Sequence, residues 1–266
     1  MVAFGAFASI MFAKSGSVSA SATYYGYCPG GGAGSNYAYC PPPRVPAHFK
    51  GYEIGNEIPL LPGEHLVLED QFIREVVHRG PARLLMTPVE KRRTGRPVTP
   101  IEREDEHLKC YRVTGGKRQD RLVRVTNQFV TNRQLLVKEP NRLCAPASKG
   151  EQDVQPTTPP ADTQHYKCYR VEEQPRFRGE QLVLVDQFGT EQTKMTRAES
   201  LCNPVRKERS SGEIVVPPRP DEHLVCYAIR DQVSFPDRSV HTLDQFGRQR
   251  VRVLEPIVLC VPSTKS

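Results

Sequence analysis

Three cysteine pairs at one fixed spacing set the tightest limit on what this chain can fold into. Cys110 and Cys144, Cys168 and Cys202, and Cys226 and Cys260 are each 34 residues apart. Each pair sits in the same frame. HLKCYRV (His107–Val113), HYKCYRV (His165–Val171) and HLVCYAI (His223–Ile229) open it, and Asn127-Gln128-Phe129, Asp186-Gln187-Phe188 and Asp244-Gln245-Phe246 stand in the middle. Leu143-Cys144-Ala145-Pro146, Leu201-Cys202-Asn203-Pro204 and Leu259-Cys260-Val261-Pro262 close it. The opening His recurs at His107, His165 and His223, a period of about 58 residues that marks a tandem structural repeat.

A fourth copy lies upstream. His48-Phe49-Lys50-Gly51-Tyr52, Asp70-Gln71-Phe72 and Leu85-Met86-Thr87-Pro88 fill the same frame one period ahead of the next copy, give or take a single position. Gly51 and Met86 stand where both cysteines belong. Cysteines that vanish together bond each other, because a metal site or a lone nucleophile would not require a joint loss. The predicted links are Cys110–Cys144, Cys168–Cys202 and Cys226–Cys260. Cys28 and Cys40 bracket a Gly- and Tyr-rich loop and are expected to pair as well. That loop has no Gly-Lys-Ser/Thr, so it does not read as a phosphate cradle.

The organisation predicted is a signal peptide over 1–22, the Cys loop over 23–47, a Cys-less repeat over 48–93, and repeats over 107–149, 165–207 and 223–265. Residues 2–13 are a twelve-residue apolar run and 19–22 are small, as export signals require, although Lys14 follows that run where a basic residue should precede it. Export places the eight cysteines in an oxidising compartment, where an even count forms a disulfide framework. The expected location is secreted or extracytoplasmic, in a periplasm or at a cell surface. No apolar run reaches the roughly 18 residues of a membrane-spanning helix. The segments 92–106, 150–164 and 208–222 are Pro-rich linkers, with Ile214-Val215-Val216 able to add a short strand.

The repeats read as strands. His165–Val171 is rich in β-branched and aromatic residues, Leu182-Val183-Leu184-Val185 is a short apolar run, and Arg250-Val251-Arg252-Val253 alternates. No 3.6-residue period persists anywhere. The fold class is all-β, with three short strands per unit. A unit of about 43 residues is too small to bury much core, so a disulfide and neighbour packing must hold it. The Cys-less copy in particular needs neighbours. In each Asp-Gln-Phe the Phe should fill core while Asp or Asn caps the turn that follows. The recurring His48, His107, His165 and His223 lack a second ligand at short spacing, so no metal or other cofactor is expected.

The combined pattern His-x-x-Cys-Tyr, Asp-Gln-Phe-Gly and Leu-Cys-x-Pro-x-x-Lys resembles a tandem-repeat domain of unknown function found in predicted secreted bacterial proteins. The last copy, with Asp244–Gly247 and Leu259–Lys265, is the cleanest match. The first departs most, lacking both cysteines and having Ile73 for Gly. The resemblance implies an exported, disulfide-bonded repeat protein and carries over no catalytic residue.

Nucleophile-elbow, zinc-helix, EF-hand and Cys-x-x-Cys motifs are all missing from the sequence. The acidic run 102–106 reads as a solvated spacer. Charge is more informative. The chain carries +7, yet 107–149 alone holds ten Lys and Arg against Asp120 and Glu139. The first copy balances, the third and fourth are each +2, and the linkers 150–164 and 208–222 are acidic. Lys117, Arg118, Arg121 and Arg124 are therefore the candidate polyanion site, for envelope polysaccharide, lipid head groups or extracellular DNA. Arg124 could share a strand face with Leu122 and Thr126. The leading expectation is a non-catalytic structural or binding protein whose specific partner the residues do not name. The alternatives are a secreted inhibitor or effector acting on a foreign protein, and an enzyme with a site between repeats.

Overall fold

The computed structural model describes residues 47–151, 154–175, 177–231, 235–236 and 238–266. The expected signal peptide and the Cys28–Cys40 pair lie outside the described residues. The described chain is all-β, with no helix among its elements. Its strands are β1 (Phe49–Ile58), β2 (Glu64–Glu69), β3 (Arg74–Pro88), β4 (Glu90–Arg92), β5 (His107–Thr114), β6 (Arg121–Thr126), β7 (Arg133–Glu151) and β8 (Tyr166–Gln174). They continue with β9 (Glu180–Asp186), β10 (Gly189–Pro204), β11 (Arg206–Arg209), β12 (Ile214–Val215), β13 (His223–Asp231), β14 (Arg238–Asp244) and β15 (Gly247–Lys265). Three short strands per unit was the expectation. Instead each recurring segment has two short strands and a third of 15 to 19 residues.

The long strands are long because each serves two ladders. Its first half forms a hairpin with the strand before it, as β9 does with β10, and its second half pairs with the opening strand, as β8 does with β10. Between the halves the register slips at a bulge, and three of the four bulges hold a proline: Pro81, Pro140 and Pro256. Proline is tolerated in a sheet at such interruptions. Each opening strand also pairs with the long strand of the preceding segment. Following these ladders gives β1-β3-β5-β7-β8-β10-β13-β15 and then β1 again. The result is a closed antiparallel barrel of eight strands, which leaves no edge for unwanted pairing.

The barrel interior is layered. Phe49, Leu108, Tyr166 and Leu224 face Pro88, Pro146, Pro204 and Pro262 across their ladders, and all four apolar residues are buried. The next inward-facing layer is sulfur. Cys110–Cys144, Cys168–Cys202 and Cys226–Cys260 are disulfides between residues directly opposite in register. Neighbouring cystines touch, with 3.9 Å between the sulfurs of Cys144 and Cys168 and 3.8 Å between those of Cys202 and Cys226. In the first segment Gly51 faces Met86 at the same level.

The paired loss of cysteine there is a packing fact. A Cβ on Gly51 would lie 2.5 Å from Cγ2 of Val258, so the methionine thioether occupies the place of the cystine. Installing Cys at both 51 and 86 should therefore yield less than the about 3–4 kcal/mol expected for closing a loop of this length. Adding Val258→Ala should recover the difference in thermal denaturation, with thiol titration confirming oxidation. Full gain without the third substitution would show that Val258 is not the obstacle.

A second layer wraps the barrel and pairs diagonally. β4 adds to β9, β11 to β2, the end of β7 to β14, and the end of β15 to β6. Every such contact joins a segment to the one two further along. The barrel strands are thus covered on both faces, which explains why His107–Tyr111 reads as five consecutive buried residues. β12 pairs with β11, so Ile214-Val215 turns back on its own segment. Glu106 is buried beside Arg219, which corrects the reading of 102–106 as a wholly solvated spacer.

Candidate functional site

Most recurring polar residues serve the fold. Tyr52 donates to Asp186 Oδ2 at 2.7 Å and Tyr111 to Asp244 Oδ2 at 2.5 Å, while Asn127 Nδ2 donates to Tyr227 Oη at 3.0 Å. Tyr169 faces Asp70, and burial and that carboxylate push its pKa up. The same Asp or Asn caps its own turn, its Oδ1 accepting from the backbone N–H of Phe72, Phe129, Phe188 and Phe246. Each of these Phe rings then meets the same tyrosine edge-to-face, at 4.9–5.7 Å between centroids. Lys91, Lys149, Lys207 and Lys265 lie over Phe129, Phe188, Phe246 and Phe72 at 4.2–5.4 Å.

The histidines belong to this framework. Gln71 meets His223, Gln128 meets His48 and Gln245 meets His165 at 2.7–3.2 Å. Burial holds His48 and His165 at about 3 and His107 and His223 at about 4, and the facing Lys91, Lys207, Lys149 and Lys265 lower them further. The buried cations of the opening strands find partners two segments away: Lys50 on Glu191, Lys167 on Glu75 at 2.5 Å, and Lys109 donating to the Gln249 amide oxygen with Asp244 at 3.9 Å. Val225 replaces this lysine in the last segment.

The four candidate polyanion contacts do not converge. Lys117 is exposed, and its backbone N–H donates to Glu75 Oε2 at 2.6 Å. Arg118 is paired with Asp120 at 2.8 Å and lies 3.9 Å from Glu139. Arg121 lies over the Phe72 ring at 4.9 Å. Arg124 shares an exposed face with Leu122 and Thr126, opposite the buried Val123 and Val125. Along a strand alternate residues point to opposite faces, so Arg121 and Arg124 are directed apart.

Other arginines do converge. One step past the sulfur layer, on the same inward face, Glu53 stands opposite Leu84, Arg112 opposite Arg142, Arg170 opposite Ser200, and Ala228 opposite Val258. Here the barrel opens into a cavity of about 500 Å³ lined by Arg83, Arg112, Arg142, Arg170, Glu53 and Glu139, among others. Gly115, in the left-handed region at φ +84°, and Gly116 turn the chain away at its rim. Gly116 must be glycine, because a Cβ there would lie 2.2 Å from Cγ of Pro140. Burial pulls the Arg142 pKa down, Glu199 opposes that, and Arg170 adds to it.

Arg112 and Arg142 belong to the basic segment 107–149, whose composition gives neither of them a distinct role. The available signal was the shared Cys-Tyr-Arg of two openings, Arg112 and Arg170, two residues from a cystine and therefore on its face. Residues 132–262 match the family model of a repeat of unknown function (DUF7450). No curated protein and no solved structure matches the chain. The match runs from just ahead of β7 into β15 and so takes in Arg142 and Arg170 but not Arg83 or Arg112.

Proposed function

We propose that this chain is an exported, non-catalytic binding protein in which four repeats with a period of about 58 residues close into one barrel, and that its ligand is anionic. Residues 1–22 direct export, and 48–93, 107–149, 165–207 and 223–265 are the repeats. Three buried disulfides and the absence, among the described residues, of a helix able to cross a membrane are compatible with an extracytoplasmic site. The recurring Tyr, Asp, Lys and His residues are engaged in joining one segment to another, which favours a scaffold over a catalytic constellation. One observation carries the ligand class: four arginines converge on one barrel mouth while the opposite layer is filled by Phe49, Leu108, Tyr166 and Leu224.

Retention on heparin tests this reading. The wild type should bind at about 50 mM salt and elute as salt rises, as counterion-driven contacts do. Converting Arg83, Arg112 and Arg170 together to Glu should abolish retention, whereas Glu at 118, 121 and 124 should only lower the eluting salt. Retention unchanged by the mouth substitutions would overturn it.

A further inference from the structure

The arginine-lined mouth contains an imbalance that the protein leaves uncorrected. Arg112 and Arg142 are directly opposite across the β5–β7 ladder, where like charges destabilise a sheet. Arg142 is the more deeply placed, and its Nη1 is buried without a hydrogen-bond acceptor among the described residues. A guanidinium carries five donors and cannot shed its charge, so an orphaned buried nitrogen is costly. Two of the nearby carboxylates are already engaged. Glu139 is shared between Arg170 at 3.6 Å and Arg118 at 3.9 Å, and Glu199 accepts from Arg197 at 2.9 Å. Asn141, beside Arg142, also has a buried Oδ1 with no donor.

We propose that this mouth is a binding site for a single compact phosphate group, with Arg142 as its innermost contact and Arg112 and Arg170 flanking it; the assignment rests on the anionic-ligand reading above. Three features of the cavity select that chemistry. Four arginines against Glu53 and Glu139 leave an excess of two positive charges, which a dianion neutralises and a monocarboxylate does not. Guanidinium forks match phosphate oxygens in pairs, which lysine ammonium groups do not. About 500 Å³ admits one head group with a small attached moiety, so a long polyanion such as heparin engages the mouth by inserting one charged group at a time. Burial and Arg170 both disfavour charge on Arg142, so the anion gains most from the residue that the fold satisfies least. The group could be borne by a soluble metabolite or by a lipid head group, and the contacts are the same for both.

Thermal unfolding of the full oxidised chain in inorganic phosphate, at a pH where it is the dianion, reads this site. At a hundredfold excess over Kd the wild-type midpoint should rise by about 5–10 °C. Acetate at matched ionic strength should not move it. Arg142→Gln should lose the shift while its unliganded midpoint stays at or above wild type, since an uncompensated buried charge has been removed. Arg118→Glu with Arg124→Glu should keep it. A shift that survives in Arg142→Gln, or one that acetate reproduces, overturns the assignment. No shift together with heparin retention that still depends on Arg83, Arg112 and Arg170 overturns the phosphate site and leaves the broader reading intact; loss of both overturns both. Sedimentation with phosphatidic acid vesicles separates the sources. Co-sedimentation abolished by Arg142→Gln places the phosphate on a lipid, and a phosphate-induced shift without co-sedimentation places it on a soluble molecule.

Discussion

Lowering the pH from neutral to about 4.5 should cost this protein most of its stability. His48 and His165 are held at about 3 and His107 and His223 at about 4, first by burial and then by the lysines facing them. In the unfolded chain all four return to about 6.5. Between these values the unfolded state binds more protons than the native one, so stability is fully present above pH 6.5 and is lost as pH falls toward 3–4. Each histidine contributes about 1.4 kcal/mol per pH unit across that window, and together they reach on the order of 10 kcal/mol by pH 4.5. That is comparable to the whole stability of an ordinary domain. Asp105 near His107 and Asp70 near His223 act in the opposite sense and soften the loss. Urea midpoints at neutral pH, 6 and 5 should fall progressively, and His165→Gln should flatten the slope by about a quarter. A flat profile from pH 7 to 4.5 would show that these rings are not neutral in the folded barrel.

Asp186→Ala should be the most damaging single change outside the disulfides. Oδ2 accepts from Tyr52 Oη at 2.7 Å and from Thr87 Oγ1 at 2.9 Å, and Oδ1 accepts from the backbone N–H of Phe188 at 2.9 Å. Tyr52 and Thr87 are fully buried, so truncation strands two side-chain donors and uncaps the β9–β10 turn. The cost expected is about 3–5 kcal/mol, a midpoint lower by about 10 °C. Asp186→Asn should cost about 1 kcal/mol, because Asn127 performs the same double role toward Phe129 and Tyr227. If the alanine variant unfolds within about 1 kcal/mol of wild type, the diagonal tyrosine bond is not a principal tie.

The features legible in the chain are those that repeat. The joint absence of Cys at Gly51 and Met86 revealed the pairing of the other six cysteines, because a disulfide between facing strands needs both partners in one register. The Asp or Asn cap was equally readable, since an Asx turn is closed within three residues. The departure at Ile73 has a visible effect as well. Gly189 and Gly247, at φ +138°, allow Asp186 and Asp244 to close tight turns, whereas Ile73 lies in a wider loop between Glu69 and Arg74.

Strand type, disulfide framework, turn chemistry and the basic excess of 107–149 follow from sequence alone, because each depends on residues joined by short stretches of chain or on a periodicity that the chain displays. Partner choice does not. Tyr52 could satisfy any copy of Asp-Gln-Phe, and only closure of eight twisted strands determines that it reaches Asp186 and not a nearer one. The same closure gathers Arg83, Arg112, Arg142 and Arg170 around one cavity, while Lys117, Arg118, Arg121 and Arg124 lie outside its lining. These residues come from three segments and meet because barrel geometry sets their height and facing, which the spacing along one segment does not encode.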